Sequence, residues 1–563
     1  MSELSLLWPD GRPTPTWDIS RETIRDLELE AIAQAMSSHS SYREAVRDVL
    51  FRLCLDEETL RYRQIVLTDL QAQPPLAERL EALLPLLDEL TQFTYRNIGR
   101  RNQLQEVVAR ARELELLVET VQQLHEAFAD LSSSLQSTGL IALRDKVSAL
   151  VANRQFQEMV IDLPALLEAL RSQASVTIGV NLDDHLRPNA AVLLAVNEKR
   201  FTDNSLLDRL LGKDAGQGKG IAPLHRPPVV GGQGSAAGGH PDWLDPLMVP
   251  LFKDLAKVLE KVSEPVAQEL KKYVQLNGRF LADLRPEIIF YIQALGLIQR
   301  LQDAGMRLTY PEIAPAEERV CRVKEAYNFQ LAIQKLSAAS MQAHSSSIVS
   351  NDIVFGKDGR IAILTGPNRG GKTTYMQAIG LVQVLTQIGM PVPGEAAQIS
   401  PVDGIYTHYP VEERLELGTG RFGDEARRIR AIFEKVTRSS LVLLNESLST
   451  TSMGEGIYLA RDIVRAMRQI GLRAVFTTHM HELASAAQEI NEAAPGESDV
   501  FSLVASKPDE PMQPEQGYSY HIQPGPPLGR SYAEHIAAQY GISDEQLQAL
   551  IETRFSADQQ HRD

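Results

Sequence analysis

Apolar residues over the first 172 positions recur mostly three or four apart, the spacing of one buried helical face. Ile19, Ile24, Leu27, Leu29 and Ile32 open the pattern, with Asp18 or Ser20 able to cap the start. Helical text continues through 57–68, 76–94 and 97–132. A polar break around Asp130–Ser137 separates these from a further helical stretch over 137–172. At Ser175 the period changes to that of strands. SVTIGVNL and AAVLLAVNE, joined by the polar turn 183–189, predict a hairpin or a pair of sheet strands. Residues 212–242 are crowded with Gly and Pro and predict a loop. Helices resume over 247–285 and 287–304, with Pro265 and Pro286 expected to end or kink them. In the last third, IAILTG, LVLL and AVFTT are short apolar runs between helical stretches, the rhythm of an α/β domain with buried strands.

Composition narrows the class. The chain has 563 residues with 57 Lys plus Arg against 73 Asp plus Glu, a formal charge of −16, which excludes a generally basic surface but not a local basic groove. The two cysteines, Cys54 and Cys321, lie too far apart in sequence for a disulfide framework or a metal knuckle and suit a reducing interior. No apolar run reaches the roughly 18–20 residues that would cross a bilayer, and no basic-then-apolar leader opens the text. A soluble cytoplasmic protein is the expectation.

The strongest chemical signal is Gly366-Pro367-Asn368-Arg369-Gly370-Gly371-Lys372-Thr373-Thr374, between the apolar run IAILT and a helical stretch. Glycines there let backbone amides close around phosphate oxygens at a helix N-terminus, a lysine reaches the β/γ-phosphates, and a hydroxyl can ligate Mg2+. LVLL runs into Asn445-Glu446, the place of a second acidic motif. Glu446 can activate the attacking water. Asn445 offers magnesium an amide oxygen without a carboxylate's charge, so weakened Mg2+ affinity is expected. The third run ends at His479, placed to sense the γ-phosphate and position water. His408 is read as structural and His481 as a helix-start or surface residue.

These segments together resemble the ATPase domain of the DNA mismatch repair MutS family, itself similar to ABC-type ATPases. TGPNRGGKTTYMQAIG (365–380), VPGEAAQISPVDGIYTH (392–408), LSTTSMGEG (448–456), FTTHMHEL (476–483) and RSYAEHIAAQYGISDEQL (530–547) carry the likeness, over about 345–550. The resemblance implies that Gly420, Arg421, Phe422 and Glu425 form a signature segment facing the nucleotide of an opposite subunit. There Gly420 stands where the family has a serine, and Asn445 where it has Asp. It puts the family's adenine-stacking aromatic on Ile348, with Tyr327 or Phe355 as neighbours. No Phe-x-Glu mismatch wedge is found near the start, and the end leaves no room for an Smr-type nuclease domain.

The expectation is thus a multidomain chain: a long-helix α core and lever region plus a C-terminal α/β P-loop NTPase of the ABC/MutS type. Its parts are a helical arm (1–172), a small β-containing insertion with a Gly/Pro-rich loop (173–246), a helical lever (247–344), the ATPase (345–529) and a helical dimerisation segment with a polar tail (530–563). The resemblance implies ATP and Mg2+ as cofactors, a homodimer through the ATPase, double-stranded or branched DNA as ligand, a possible repair-protein partner and no membrane. The expected function is ATP hydrolysis coupled to DNA binding or clamping in repair or recombination. The alternative is a nucleotide-gated protein-interaction module with weak or no hydrolysis. Basic candidates for DNA are Arg96, Arg100, Arg101, Arg110, Lys271 and Lys272, each also readable as a solvated helix face. Arg427, Arg428 and Arg430 suit packing or a dimer interface.

Overall fold

A computed structural model describes residues 4–95, 103–129, 131, 134–171, 175–185, 188–197, 202–203, 219–220, 255, 263–339, 348–410, 421–493, 495–505, 519–527 and 541–560. The chain divides into two compact units: Met1–Ala77, Ser132–Ile141 and Pro286–Asp563 in one, Glu78–Leu131 and Ala142–Arg285 in the other. This division differs from the sequence boundaries at 172 and 247. The first helices, read as the start of an arm, belong instead with the unit that holds residues 345–529. So does strand Cys321–Ala326, which pairs with Asn351–Phe355 and Ala396–Ile399.

The first unit is built on a six-stranded sheet. Its strands are β1 (Ile361–Thr365), β2 (Ile405–His408), β3 (Leu441–Asn445), β4 (Arg473–Thr477), β5 (Val500–Ala505) and β6 (Ile522–Pro524), in the order β2-β3-β4-β1-β5-β6. The first five in that order run parallel and β6 is antiparallel. Every residue of β1, β3 and β4 is buried, as continuous apolar runs covered on both faces require. A cluster including Ile363, Leu444, Val464, Met467 and Phe476 fills one side.

Helix Lys372–Ile388 carries the other side, and the N-terminal helices pack on it. The opening helical text resolves into Arg21–Asp26, Leu29–Met36 and Ser40–Leu50. Ser20 caps the first, accepting from the Thr23 amide, and left-handed Glu28 (φ 53°) forces the break before the second. Asp26 is buried yet satisfied: Arg25 pairs with it at 2.7 Å and the Thr407 hydroxyl donates to it at 2.8 Å. Gln377 donates to the Asp26 carbonyl and Gln387 to the Cys54 carbonyl, each at 2.9 Å. These bonds satisfy buried backbone acceptors, which left unpaired would each cost about 1–3 kcal/mol.

The second unit is helical, with a hairpin. Arg112 forks onto Glu89 with two contacts of 2.8 Å, fixing helix Gln103–Ala129 against helix Pro74–Tyr95. The 137–172 stretch is two helices, Thr138–Ala152 and Arg154–Arg171, parted at Asn153. Strands Ser175–Leu182 and Pro188–Asn197 form the expected antiparallel hairpin. Most of the 212–242 loop and of 247–262 lies outside the described residues. Pro286 does not end its helix: Arg279–Asp303 runs through it. Burial of Leu281, Leu284, Ile288 and Ile289 on either side outweighs the roughly 3 kcal/mol that an interior proline costs.

Gly389 ends helix Lys372–Ile388 at φ 88°, and a Cβ there would lie 2.4 Å from the Arg63 Cβ. Gly389→Ala is expected to lower stability by about 2 kcal/mol or more, from left-handed strain plus overlap with a backbone-proximal atom. Denaturant unfolding of the full chain checks it.

Candidate functional site

The phosphate loop leaves the end of β1 and enters helix Lys372–Ile388. Gly366 turns it at φ 138°, and a Cβ at that position would lie 2.7 Å from the Ala505 Cβ, so only glycine fits between β1 and β5. Gly371 (φ 89°) caps the helix and Arg369 (φ 63°) is a non-glycine in the same left-handed region. Lys372 is buried, its Nζ donating to the carbonyls of Gly366 (2.9 Å) and Pro367 (3.0 Å) inside its own loop. Burial pushes its ammonium below the usual lysine value, with the charge of Glu446 opposing that shift. A phosphate entering the loop would replace those two neutral acceptors with charged ones.

Beside the loop, the side-chain oxygen Oδ1 of Asn445 at the end of β3 accepts from two hydroxyls: Thr373 at 3.2 Å and Thr477 at 2.7 Å. Thr373 and Asn445 therefore offer two adjacent oxygens of the kind Mg2+ takes, both uncharged. Glu446 follows at φ 48°, its amide donating to the Thr477 carbonyl at 3.0 Å. Its Oε1 lies 3.0 Å from Nε2 of His479, just past β4. The hydrogen bond with His479 holds the Glu446 carboxyl below its usual value, aided by the charges of His479 and Lys372 and opposed by burial. Strand order explains the meeting: β1, β3 and β4 are neighbours, so residues leaving their carboxyl ends share one edge.

The turn after Glu446 is unusual, with Leu448 at φ 66° and 2% exposed. The Glu425 carboxylate, itself 9% exposed, accepts from the Leu448 amide at 2.5 Å and from the Thr450 hydroxyl at 2.7 Å. A bond to a charged acceptor contributes about 1.5–3 kcal/mol, enough to offset the roughly 1–2 kcal/mol of a left-handed residue. On the other side, Ser447 Oγ meets buried His408 Nδ1 at 2.7 Å. Burial, with the nearby Arg428 charge, pushes the His408 imidazole down to about 4.

The structure separates the remaining candidates. Gly420 and the side chain of Arg421 lie outside the described residues; Phe422 is 36% exposed at the start of helix Arg421–Phe433. Pro367, Asn368, Gly370 and Thr374 lie along the loop and its helix start. Ile348 is half-buried. Tyr327 and Phe355 are core residues, bonded to the Arg307 carbonyl and stacked edge-on with Phe501, respectively. The aromatic beside the loop is Tyr520, which sequence reasoning missed. A Cβ on Gly371 would meet its ring at 3.4 Å, and Asn351 fixes its backbone by donating to the Tyr520 carbonyl at 3.1 Å. It stands about 150 residues from the loop, and no local pattern marks it. Arg110 is spent on Glu113 at 2.6 Å and on the carbonyls of Tyr273 and Leu276; Lys272 pairs with Glu269. Arg427, Arg428 and Arg430 bond Asp424, the Tyr409 carbonyl and Glu434. Arg96, Arg100 and Arg101 lie outside the described residues. Among those residues no helix is long and apolar enough to cross a membrane.

Comparison with known proteins gives two family matches: MutS domain V over residues 362–549 and the MutS2 N-terminal domain over 55–304. A DNA mismatch repair protein MutS of Chloroflexus aurantiacus is 25% identical over 327 residues, 54% of this chain and 32% of that protein. Endonuclease MutS2 of Thermus thermophilus is 33% identical over 199 residues, 35% of this chain and 25% of the relative. A DNA mismatch repair protein MutS of Haloquadratum walsbyi is 37% identical over 164 residues, 29% of this chain and 18% of its own. The chain thus spans a third or less of these relatives.

His408 supplies a pH signature. Its folded value of about 4 lies below the ordinary 6.5, so as pH falls from 6.5 the unfolded chain takes the proton first and folding weakens until about pH 4. Between pH 7 and 4 the wild type is expected to lose about 3 kcal/mol more stability than His408→Gln, read from urea unfolding at a series of pH values.

Proposed function

Because the chain belongs to the MutS family, we propose that it binds ATP in the loop Gly366–Thr374, hydrolyses it, and couples nucleotide state to DNA binding as a homodimer through the ATPase unit. One observation carries the reading. Lys372, Thr373, Asn445, Glu446 and His479 leave neighbouring strands or their following turns and meet at one sheet edge. Lys372 and the loop amides hold the phosphates, Glu446 takes a proton from water, and His479 orients that carboxylate. Thr373 and Asn445 are the oxygen donors that would hold Mg2+, which neutralises phosphate charge when bound. Tyr520, beside Gly371, is the aromatic candidate for contact with the base.

Domain V and the MutS2 N-terminal match support a role in DNA repair or recombination, with duplex or branched DNA as the candidate ligand. A second reading, a nucleotide-gated interaction module with weak hydrolysis, draws on Asn445 alone, since a neutral amide cannot stand in for a carboxylate's charge.

ATP turnover with and without a panel of plain, mismatched and branched duplexes tests the first reading. The wild type is expected to exceed Glu446→Gln by about 100-fold or more, and DNA to bind saturably with a steep loss on adding salt. Equal background rates would reject the hydrolase, and no saturable binding under any nucleotide would reject the DNA role. Restoring the charge with Asn445→Asp is expected to lower the Mg2+ needed for half-maximal binding of a fluorescent ATP analogue by about tenfold. An unchanged Mg2+ titration would remove Asn445 from the metal site.

A further inference from the structure

The turn Glu446–Leu448 departs from ordinary backbone at both ends, with φ 48° and 66° on residues that are not glycine. Two elements hold it. From helix Arg421–Phe433, Glu425 reaches the Leu448 amide and the Thr450 hydroxyl; from the end of β2, His408 reaches Ser447. Arg428, one turn along the same helix, donates to the Tyr409 carbonyl at 3.2 Å, so helix and strand end are also bonded to each other. The three parts close a ring: strand end, turn and helix. Within it, both carboxylate oxygens of Glu425 are used, and the imidazole is buried at 2% exposure.

We propose that Glu425 and His408 are positioning residues that fix the Glu446 carboxylate by clamping the turn behind it, so that the aim of Glu446 follows the helix Arg421–Phe433 and the end of β2. The clamp acts within one subunit. This assigns Glu425 a place that the resemblance did not give it, since it faces the chain's own turn. His408 and Glu425 flank residues 411–420 in sequence, so force applied to either flank reaches Glu446 through two short bonds. The inference rests on Glu446 being the base assigned above.

Glutamine at 425 keeps the size but loses the charge: its oxygen can accept from the Leu448 amide and its NH2 can meet Thr450 only by donating to the hydroxyl, so both charge-assisted bonds become neutral ones of roughly half the strength. Valine at 450 removes the hydroxyl at nearly constant shape, and serine keeps it. In the full chain, Glu425→Gln and Thr450→Val are expected to lower kcat about 10- to 100-fold, the usual cost of a misaimed catalytic group. Affinity for a fluorescent ATP analogue should stay within about twofold, because the phosphate loop is untouched. Thr450→Ser should return kcat to within about threefold of wild type. Wild-type kcat in both Glu425→Gln and Thr450→Val overturns the proposal, as does a joint loss of nucleotide affinity and kcat, which marks general damage.

Amide exchange separates this result from failure of the ATPase reading. In wild type, adding a non-hydrolysable ATP analogue should slow exchange over 446–452 and over 421–433 together; in Glu425→Gln the second response should vanish while the first remains. That outcome supports the clamp even where Glu446→Gln shows no loss of turnover and the base assignment falls. An identical response of both segments in the variant overturns the clamp even where turnover is established.

Discussion

Burial of helix Lys372–Ile388 from Ala378 onward is the constraint on which the rest of the first unit depends. From Ala378 to Ile388 every side chain is buried, including three polar ones, Gln383, Thr386 and Gln387. A polar stripe inside a core is stable only when every group finds a partner. Gln387 donates to the Cys54 and Val402 carbonyls and accepts from the Val402 amide; Gln383 donates to Gln387 and to the Ser400 carbonyl. These bonds tie two stretches of chain, at Cys54 and at Ser400–Val402, to the rod whose first residues carry the candidate phosphate site. The N-terminal helices are therefore part of the first unit, covering a face that the sheet does not reach.

Rigidity at the rod contrasts with a held turn at the next strand. The end of β3 delivers Asn445 into a pair of hydroxyl bonds, and the chain then takes two left-handed residues around Ser447. Such a turn persists only where neighbours over-determine it. Glu425, His408 and the Thr477 bonds to the Glu446 amide do so here. The candidate site thus sets a glycine-rich loop at the start of a buried helix beside a turn held by side chains from elsewhere in the unit.

Much of the site was legible because its residues sit at fixed distances from apolar runs. Lys372, Thr373, Asn445, Glu446 and His479 each follow a strand that can only be buried, and parallel packing sends strand ends to one edge. The functional partners supplied by other elements were not legible. Tyr520 follows no motif, and Asn351 brings it to Gly371 through a backbone bond. The aromatic expected near Ile348 had two stand-ins, Tyr327 and Phe355, which the core claimed because their rings fit between packed strands. Pro286 sits inside a continuous helix for a related reason: local propensity costs a few kcal/mol, and burial along a 25-residue helix exceeds it.

By itself the sequence determined the chemistry available: a phosphate loop after a buried strand, an amide and a carboxylate at a second strand end, a histidine at a third. Periodicity also marked the helical segments and the two strands after Ser175, which the structure pairs as a hairpin with Val180, Leu182, Val192 and Leu194 exposed. Tertiary structure alone decided which pieces belong together. It placed residues 1–77 with the ATPase unit and turned Glu425 onto the turn behind Glu446. Those outcomes depend on contacts hundreds of residues apart in some cases, and a local pattern carries no information about which distant surface will satisfy a buried amide or cover an exposed helix face.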